Sequence, residues 1–431
     1  MLSQIGRNGA LGKMRGQAGM HRDDGETISA DVASPVGSGG TAPQQRRLTP
    51  LAGALSLIAV ETAADQTRFL ELPYRLYASD PHFVPPLRSE MQALIGGIKG
   101  NPWFEHGRAR FWMVARDGEI VGRISAQVDQ LVLQHMGAGT GHWGMFECID
   151  DQAVADLLID TAETWLRGQG MVRAQGPFSL SIWDEPGLLV EGFDRPPTVM
   201  MGHHLPYYQK LVLARGYVGI KDLHTWGLRI EQPFPEIVQR IVAASERNVR
   251  LVTRPVDKSR FAEEAALILD ILNDAWSTNW GFVPLTPAEI AHVGKKLKPI
   301  VFEDLIRIAE YDGVAVGFLI ALPDINELTR DLGGNLFPFG WAKLLWRLRK
   351  PQVKTIRVPL MGIRKSLQGH RVASLMAFQM IEYIRRVAVE KYGAQEGEIG
   401  WILDDNGPMR SIADAIDSKV TRTYRVYEKT L

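Results

Sequence analysis

Residues 354–393 read KTIRVPLMGIRKSLQGHRVASLMAFQMIEYIRRVAVEKYG. Ile356, Val358, Leu360 and Gly362 recur at every second position, the period of a strand. From Val372 onward Leu375, Met376, Phe378, Met380, Ile381, Ile384, Val387 and Ala388 fall at helical spacing, and Gly393 is a natural stop. A short basic turn, Arg364 to Arg371, joins the two. A helix N-terminus offers unpaired N–H groups and the positive end of a dipole. A strand, a basic turn and a long helix therefore predict a site for a phosphate-bearing ligand.

The same order of elements occurs twice. Asp80-Pro-His-Phe-Val-Pro-Pro-Leu-Arg-Ser-Glu90 resembles Asn279-Trp-Gly-Phe-Val-Pro-Leu-Thr-Pro-Ala-Glu289, with Phe83, Val84, Pro85 and Glu90 recurring as Phe282, Val283, Pro284 and Glu289. A hairpin signature follows each, turning at Asp117-Gly118 and at Asp312-Gly313. Two landmarks in one order at nearly one interval argue for a duplicated unit of roughly 200 residues. Each copy continues as strand, helix (152–167 or 372–391), strand, short helix (207–215 or 409–416) and closing strand. That alternation predicts an α/β fold with mixed sheets. The expected organisation is a disordered leader over 1–48, poor in large apolar residues, then units at 49–230 and 231–431.

Composition narrows the class. Of 431 residues, 45% are hydrophobic and 23% charged, as in globular domains. The 49 basic and 49 acidic residues cancel, so bulk charge gives no reason to expect a nucleic-acid partner. A single cysteine, Cys148, excludes an internal disulfide framework and fits a reducing compartment. No apolar run approaches the roughly 18 residues a spanning helix needs. The expected location is the cytoplasm, with peripheral contact on the inner membrane.

The order of elements resembles the GNAT (acyl-CoA N-acyltransferase) fold, twice in tandem. The resemblance covers most of 51–431. In that family a turn of the form Gln/Arg-x-x-Gly-x-Gly/Ala opens the central helix and holds the coenzyme A diphosphate. Gln368, Gly369, His370, Arg371, Val372 and Ala373 stand at those positions, Ile363 ends the strand before them, and Arg371 replaces the expected glycine. Asn406 follows the fifth strand where the family often has a cofactor-contacting Asn. These eight residues are the expected cofactor site, with acyl-CoA as co-substrate. In the first copy the turn is Asp151-Gln-Ala-Val, without glycine or a basic residue, so that copy is not expected to hold coenzyme A in the usual way. Asn101–Phe104, Gly187–Asp194, Asn279–Pro284 and Gly400–Met409 resemble segments of a bacterial tandem group of the ceramide synthase type, which implies a sphingoid base as acceptor. The family's acid, a Tyr in the last helix, falls on Ile412 in one copy and Val212 in the other. That absence, with Arg371, keeps two alternatives open: a non-catalytic acyl-CoA or lipid binder, and an enzyme fed by acyl carrier protein.

Amide formation from a thioester needs an acceptor for the amine proton and donors for the carbonyl oxygen. The polar cluster at Trp183-Asp184-Glu185-Pro186-Gly187, with His203-His204 downstream, falls between the fifth strand and the last helix of the first copy. Glu185, His204 and Asp184 are the candidate catalytic residues. Turn capping is the alternative for the acids. No third ligand accompanies the His pair at helical spacing, so no metal is expected. Gly139-Thr-Gly141-His-Trp-Gly144 satisfies Gly-x-Gly-x-x-Gly, but a strand follows it rather than a helix, so it is read as a loop. Finally, 336–350, LFPFGWAKLLWRLRK, interleaves aromatic and basic residues. That suits a membrane interface and a lipid amine substrate, or equally a helix packed on the second unit.

Overall fold

The computed structural model describes residues 53–298 and 300–431. The leader expected over 1–48 lies outside the described residues. Among the described residues thirteen strands are present: β1 (Leu55–Ala59), β2 (Gly107–Arg116), β3 (Glu119–Asp129), β4 (Thr140–Cys148), β5 (Arg173–Gly176), β6 (Leu188–Glu191), β7 (Val218–Arg229), β8 (Leu251–Pro255), β9 (Ile306–Tyr311), β10 (Val314–Pro323), β11 (Thr355–Ile363), β12 (Glu396–Leu403) and β13 (Lys419–Thr430). Both hairpins form where the sequence put them. Asp117 and Gly118 have φ of 50° and 87°, Asp312 and Gly313 of 52° and 77°, the pair of positive values a tight two-residue turn requires.

The strands make one mixed sheet, in the order β1-β2-β3-β4-β5-β13-β7-β12-β11-β10-β9-β8, with β6 also on β13. The closing strands are exchanged. β7 ends the first half but pairs with β12 of the second, from Arg229↔Glu396 to Leu223↔Leu403. β13 ends the second half but pairs with β5 of the first, through Tyr427↔Gly176. The two closing strands also pair with each other along most of their length. Backbone groups that would form a sheet edge in either half alone are thus satisfied by the other half.

Helices cover both faces. Phe318 and Leu319 are neighbours on β10 and point to opposite sides, as the pleat demands. Phe318 packs with the helix Phe261–Trp276, and Leu319 with the helix Arg371–Tyr392. The latter runs 22 residues, buries Met376, Met380, Ile384 and Ala388 on one stripe, and ends at Gly393 with φ 68°, the left-handed stop that glycine supplies. Its counterpart Gln152–Gly168 buries Val154, Leu158, Ala162 and Leu166 over β2, β3 and β4.

One expectation is corrected. Residues 140–144 belong to β4 and are not a loop. The glycines there answer to packing. A Cβ on Gly144 would sit 1.7 Å from the Phe178 carbonyl oxygen, and one on Gly141 would sit 2.5 Å from Leu166. Glycine inside a strand marks such close approach.

Candidate active site

The halves differ between the strand that enters the long helix and the strand that follows it. β11 and β12 are paired in parallel from Thr355↔Glu396 to Val358↔Ile399 and separate beyond that point. Gly400 takes φ 126° there, and the pairing of β12 with β7 shifts register between Ile399 and Ile402. The gap is a narrow slot walled by Trp276, Asn279, Met361, Trp401, Asn406 and Met409. In the first half the matching gap is shut. Phe178 N–H donates to the Trp143 carbonyl at 2.8 Å, and the backbone of Gly144 lies against Phe178.

At the top of the open slot stands the basic turn. Gln368 donates to the carbonyls of Ile363 (2.8 Å) and Ala275 (3.3 Å), and Asp274 accepts from Lys365 N–H at 2.8 Å. Gly369 has φ 81°. His370 is the N-cap of the long helix but supplies no side-chain cap. His370 and Arg371 are exposed, while Val372 and Ala373 are half-buried. A helix of this length with no side-chain cap, beside an exposed guanidinium, fits an anionic diphosphate. Asn406 accepts from Met409 N–H at 3.2 Å, capping the helix Gly407–Ala415, and lines the slot.

A buried ion triad anchors the slot's base. Glu398 on β12 accepts from Arg357 of β11 (3.2 Å) through one oxygen and from Arg422 of β13 (2.9 Å) through the other. Arg357 also donates to the Gly400 carbonyl at 2.7 Å, which ties the triad to the point where the strands part. Thr198, from the segment between β6 and β7, hydrogen-bonds both Glu398 and Arg357. Sequence reading missed all three charged residues. Their only trace was a charge inside each otherwise strand-like run.

The first half contributes the polar cluster. Ser181 Oγ donates to Asp184 at 2.8 Å, and Ser179 N–H donates to the Asp184 carbonyl at 2.9 Å. Burial raises the Asp184 pKa to about 6, with the Ser181 bond opposing. Glu185 has φ 45°, a strained conformation that surrounding contacts must hold. Its side chain is exposed, yet crowding by the protein still raises its pKa, against the pull of Arg123 and Ser179. Gly202 brings Glu185 and His204 together: a Cβ on it would meet His204 Cε1 at 3.1 Å and Glu185 Cβ at 3.7 Å. Leu189 N–H donates to His204 Nδ1 at 3.1 Å, leaving the ring proton on Nε2. Burial lowers the His204 pKa to about 3, so the ring is neutral and offers a donor. His203 instead pairs with Asp80 at 2.8 Å.

Beneath this cluster lies Glu147 of β4, which sequence reading also missed. It accepts from Tyr77 OH (2.5 Å) and Tyr208 OH (2.7 Å), and Arg123 is 3.9 Å away. Burial raises its pKa to about 7, with Arg123 and the two hydroxyls opposing. The cluster is fastened to the second half by Trp183, which stacks on Trp276 of the slot wall with centroids 6.1 Å apart and donates to the Val283 carbonyl at 3.1 Å. The expected acid position, Ile412, packs among apolar side chains, and Val212 is buried in the first core. Among the described residues no group of three or more His, Cys, Asp or Glu is placed to hold a metal. Nor is any described helix long and apolar enough to cross a membrane.

The stretch 336–350 divides in two. Leu344 and Leu348 of the helix Gly340–Arg349 pack on the second core. Phe337, Phe339, Trp341, Leu345 and Trp346 are all exposed, Phe337 by 82% and Trp346 by 72%.

No protein-family model matches the chain. A protein of Caulobacter vibrioides named bacterial ceramide synthase is 43% identical over 378 residues, which is 88% of this chain and 98% of that protein. Protein YghO of Escherichia coli is 41% identical over 369 residues, 85% of this chain and 93% of that protein. Among solved structures, a tandem GNAT protein from the clavulanic acid biosynthesis pathway superposes with a TM-score of 0.52 at 13% identity, covering 88% of this chain and 98% of that one. The glucosamine N-acetyltransferase region of a fungal β-N-acetylglucosaminidase also gives 0.52, at 12% identity over 88% of this chain and 38% of that one. The likeness to the tandem GNAT protein shows the fold, and the chain belongs to the family of the bacterial ceramide synthase of Caulobacter vibrioides.

Proposed function

We propose that this protein is an N-acyltransferase that moves an acyl group from a coenzyme A thioester to the amine of a long-chain sphingoid base. The observation that carries the proposal is the open slot between β11 and β12, with the uncapped helix start at its top and the Asp184–Glu185 loop fixed to its wall through Trp183 and Trp276. The relative named bacterial ceramide synthase supports a sphingoid acceptor.

When bound, acyl-CoA supplies an activated carbonyl and a thiolate leaving group. Ile363, Gln368 to Ala373 and Asn406 would hold it, with Arg371 providing charge for the phosphates. The neutral amine forms a C–N bond to the carbonyl carbon and the C–S bond breaks. Glu185, whose pKa burial raises above the usual carboxylate range, accepts the amine proton. His204, with its proton on Nε2, is a donor beside the same Gly202, and Asp184 holds the turn that aims Glu185. The exposed aromatic row of 336–350 would rest on the membrane that supplies the lipid amine.

The test is thiol release by purified protein given palmitoyl-CoA and sphinganine, with mass spectrometry for the amide. Amide formation that Glu185→Gln lowers by about a hundredfold or more supports the reading. Saturable acyl-CoA binding without thiol release refutes it in favour of a binding protein.

A further inference from the structure

Strand β3 carries an alternation that core packing does not explain. Ile124, Ala126 and Val128 face the first core. Arg123, Ser125, Gln127 and Asp129 take the other face, and all four are more than nine-tenths buried. Polar groups this deep are normally paired. Gln127 donates to the Phe178 carbonyl at 2.8 Å and accepts from Ser125 at 3.1 Å. Asp129 is met by Trp103, His106 and the Leu131 N–H. Arg123, at the end of the row, is left short. Its Nη1 donates to the Phe69 carbonyl at 3.1 Å, but among the described residues its Nε has no partner. Its Nη2 stands 3.9 Å from Glu147 Oε1, too far for a hydrogen bond.

The backbone sets these two side chains against each other. Arg123 pairs with Glu147 across β3 and β4, and Ser125 with Gly144, so β4 holds an extra residue between the pairs. That bulge contains Met145, at φ 46°. Bulges re-aim side chains and gather beside active sites. Both tyrosine hydroxyls sit on Oε2 of Glu147, while Oε1 faces Arg123. Solvent reaches the pair: the Arg123 and Glu147 side chains keep 6% and 10% of their exposure. Arg123 attracts Glu185 as well, and the Glu185 charge acts on Glu147. Three acids, Glu147, Asp184 and Glu185, thus answer to two cations, Arg123 and the exposed Lys296. The cluster lacks one positive charge, and Arg123 lacks an acceptor.

The surroundings suit an amphiphile. The charges of Arg123 and Glu185 both act on Tyr74, whose ring lies 3.8 Å from the Arg88 guanidinium. Arg88 donates to the carbonyls of Gly333 and Gly334. The exposed aromatic row begins just beyond them, at Phe337.

We propose that Arg123 and Glu147 bind the polar head of the acceptor, a long-chain amine with a hydroxyl on the neighbouring carbon. The amine, arriving as an ammonium, lies between Glu147 and Glu185, and the hydroxyl oxygen accepts from Arg123. The inference rests on Glu185 being the group that meets the acceptor amine. The first half, whose own slot is shut, thereby serves the acceptor while the second half serves the thioester.

Titration calorimetry on the full chain, without acyl-CoA, tests this with 2-aminooctane-1,3-diol, octan-2-amine and octane-1,3-diol. The aminodiol should bind about tenfold more tightly than either of the others, since each of those loses a charge-assisted contact. Glu147→Gln keeps an oxygen for both tyrosines and should weaken the aminodiol about tenfold. Arg123→Met should erase the preference for the aminodiol over octan-2-amine, a change that general damage to the fold would not produce. Hydrogen exchange on the wild-type protein needs no variant to fold: the aminodiol should slow amides within 145–148 and 179–187. Equal aminodiol affinity in wild type and Glu147→Gln would overturn the inference. So would protection confined to residues beyond 250. Amide formation from sphinganine that neither variant changes would sink the head subsite and leave the reaction standing. Selective aminodiol binding without amide formation would do the reverse.

Discussion

Replacing Glu398 by Gln tests whether the ion triad holds the two halves in register. Glu398 is 5% exposed, Arg357 2% and Arg422 1%. The side chain keeps its shape in the variant but loses the charge that both guanidinium groups face, at 3.2 and 2.9 Å. Removing one partner of a buried pair costs about 3–5 kcal/mol, because the remaining charge stays out of water uncompensated. Here two cations lose one counter-ion, and the Gln oxygen still accepts one hydrogen bond. A loss of about 4 kcal/mol follows, a large share of the 5–15 kcal/mol typical of a folded domain. In urea, with m of about 3 kcal/mol per molar or above, the midpoint should fall by roughly 1 M. Adding Arg422→Met to Glu398→Gln should recover part of the loss, since one stranded charge is removed. A midpoint within about 0.2 M of wild type, under 1 kcal/mol on the same slope, would refute the argument. It would mean that water reaches the triad or that the exchanged strands hold without it.

Two further outcomes follow from the same geometry. His106 lies 2.9 Å from Asp129 and 3.3 Å from Glu289 of the second half. Burial pulls its pKa down, but the two carboxylates outweigh this and raise it to about 9. Its contribution, about 3 kcal/mol at most, is present in full below about pH 6.5 and is lost as pH rises through about 9. His106→Gln should therefore lower the melting temperature at pH 6 and nearly match wild type at pH 10; a gap that does not change with pH contradicts this. Trp341→Ser with Trp346→Ser should leave stability within about 0.5 kcal/mol, because both side chains are exposed, while reducing flotation with anionic liposomes. Unfolding of this pair, or unaltered flotation, tells against a membrane contact.

Local features were legible in the sequence because local rules set them. Asp-Gly pairs between alternating apolar runs gave both hairpins, and the long helix with its Gly393 stop came from spacing and one left-handed residue. Glu147 was hidden in an apolar strand, where its hydrogen-bond partners are Tyr77 and Tyr208, distant in sequence and brought within reach by the fold. The Gly139–Gly144 run was misread because Gly141 and Gly144 serve the Leu166 side chain and the Phe178 backbone inside a strand.

The chain by itself determined that the fold is a doubled α/β unit with a basic turn at the head of its second long helix. Periodicity and turn chemistry act over a few residues and survive without tertiary context. Only the tertiary structure decided that the closing strands change places, that one slot opens while its twin is shut, and that Glu185 and His204 both lie beside Gly202. Strand partners, buried counter-ions and the gap between β11 and β12 are contacts between residues far apart in sequence. They are fixed by the packing of whole faces, which no single stretch of sequence encodes.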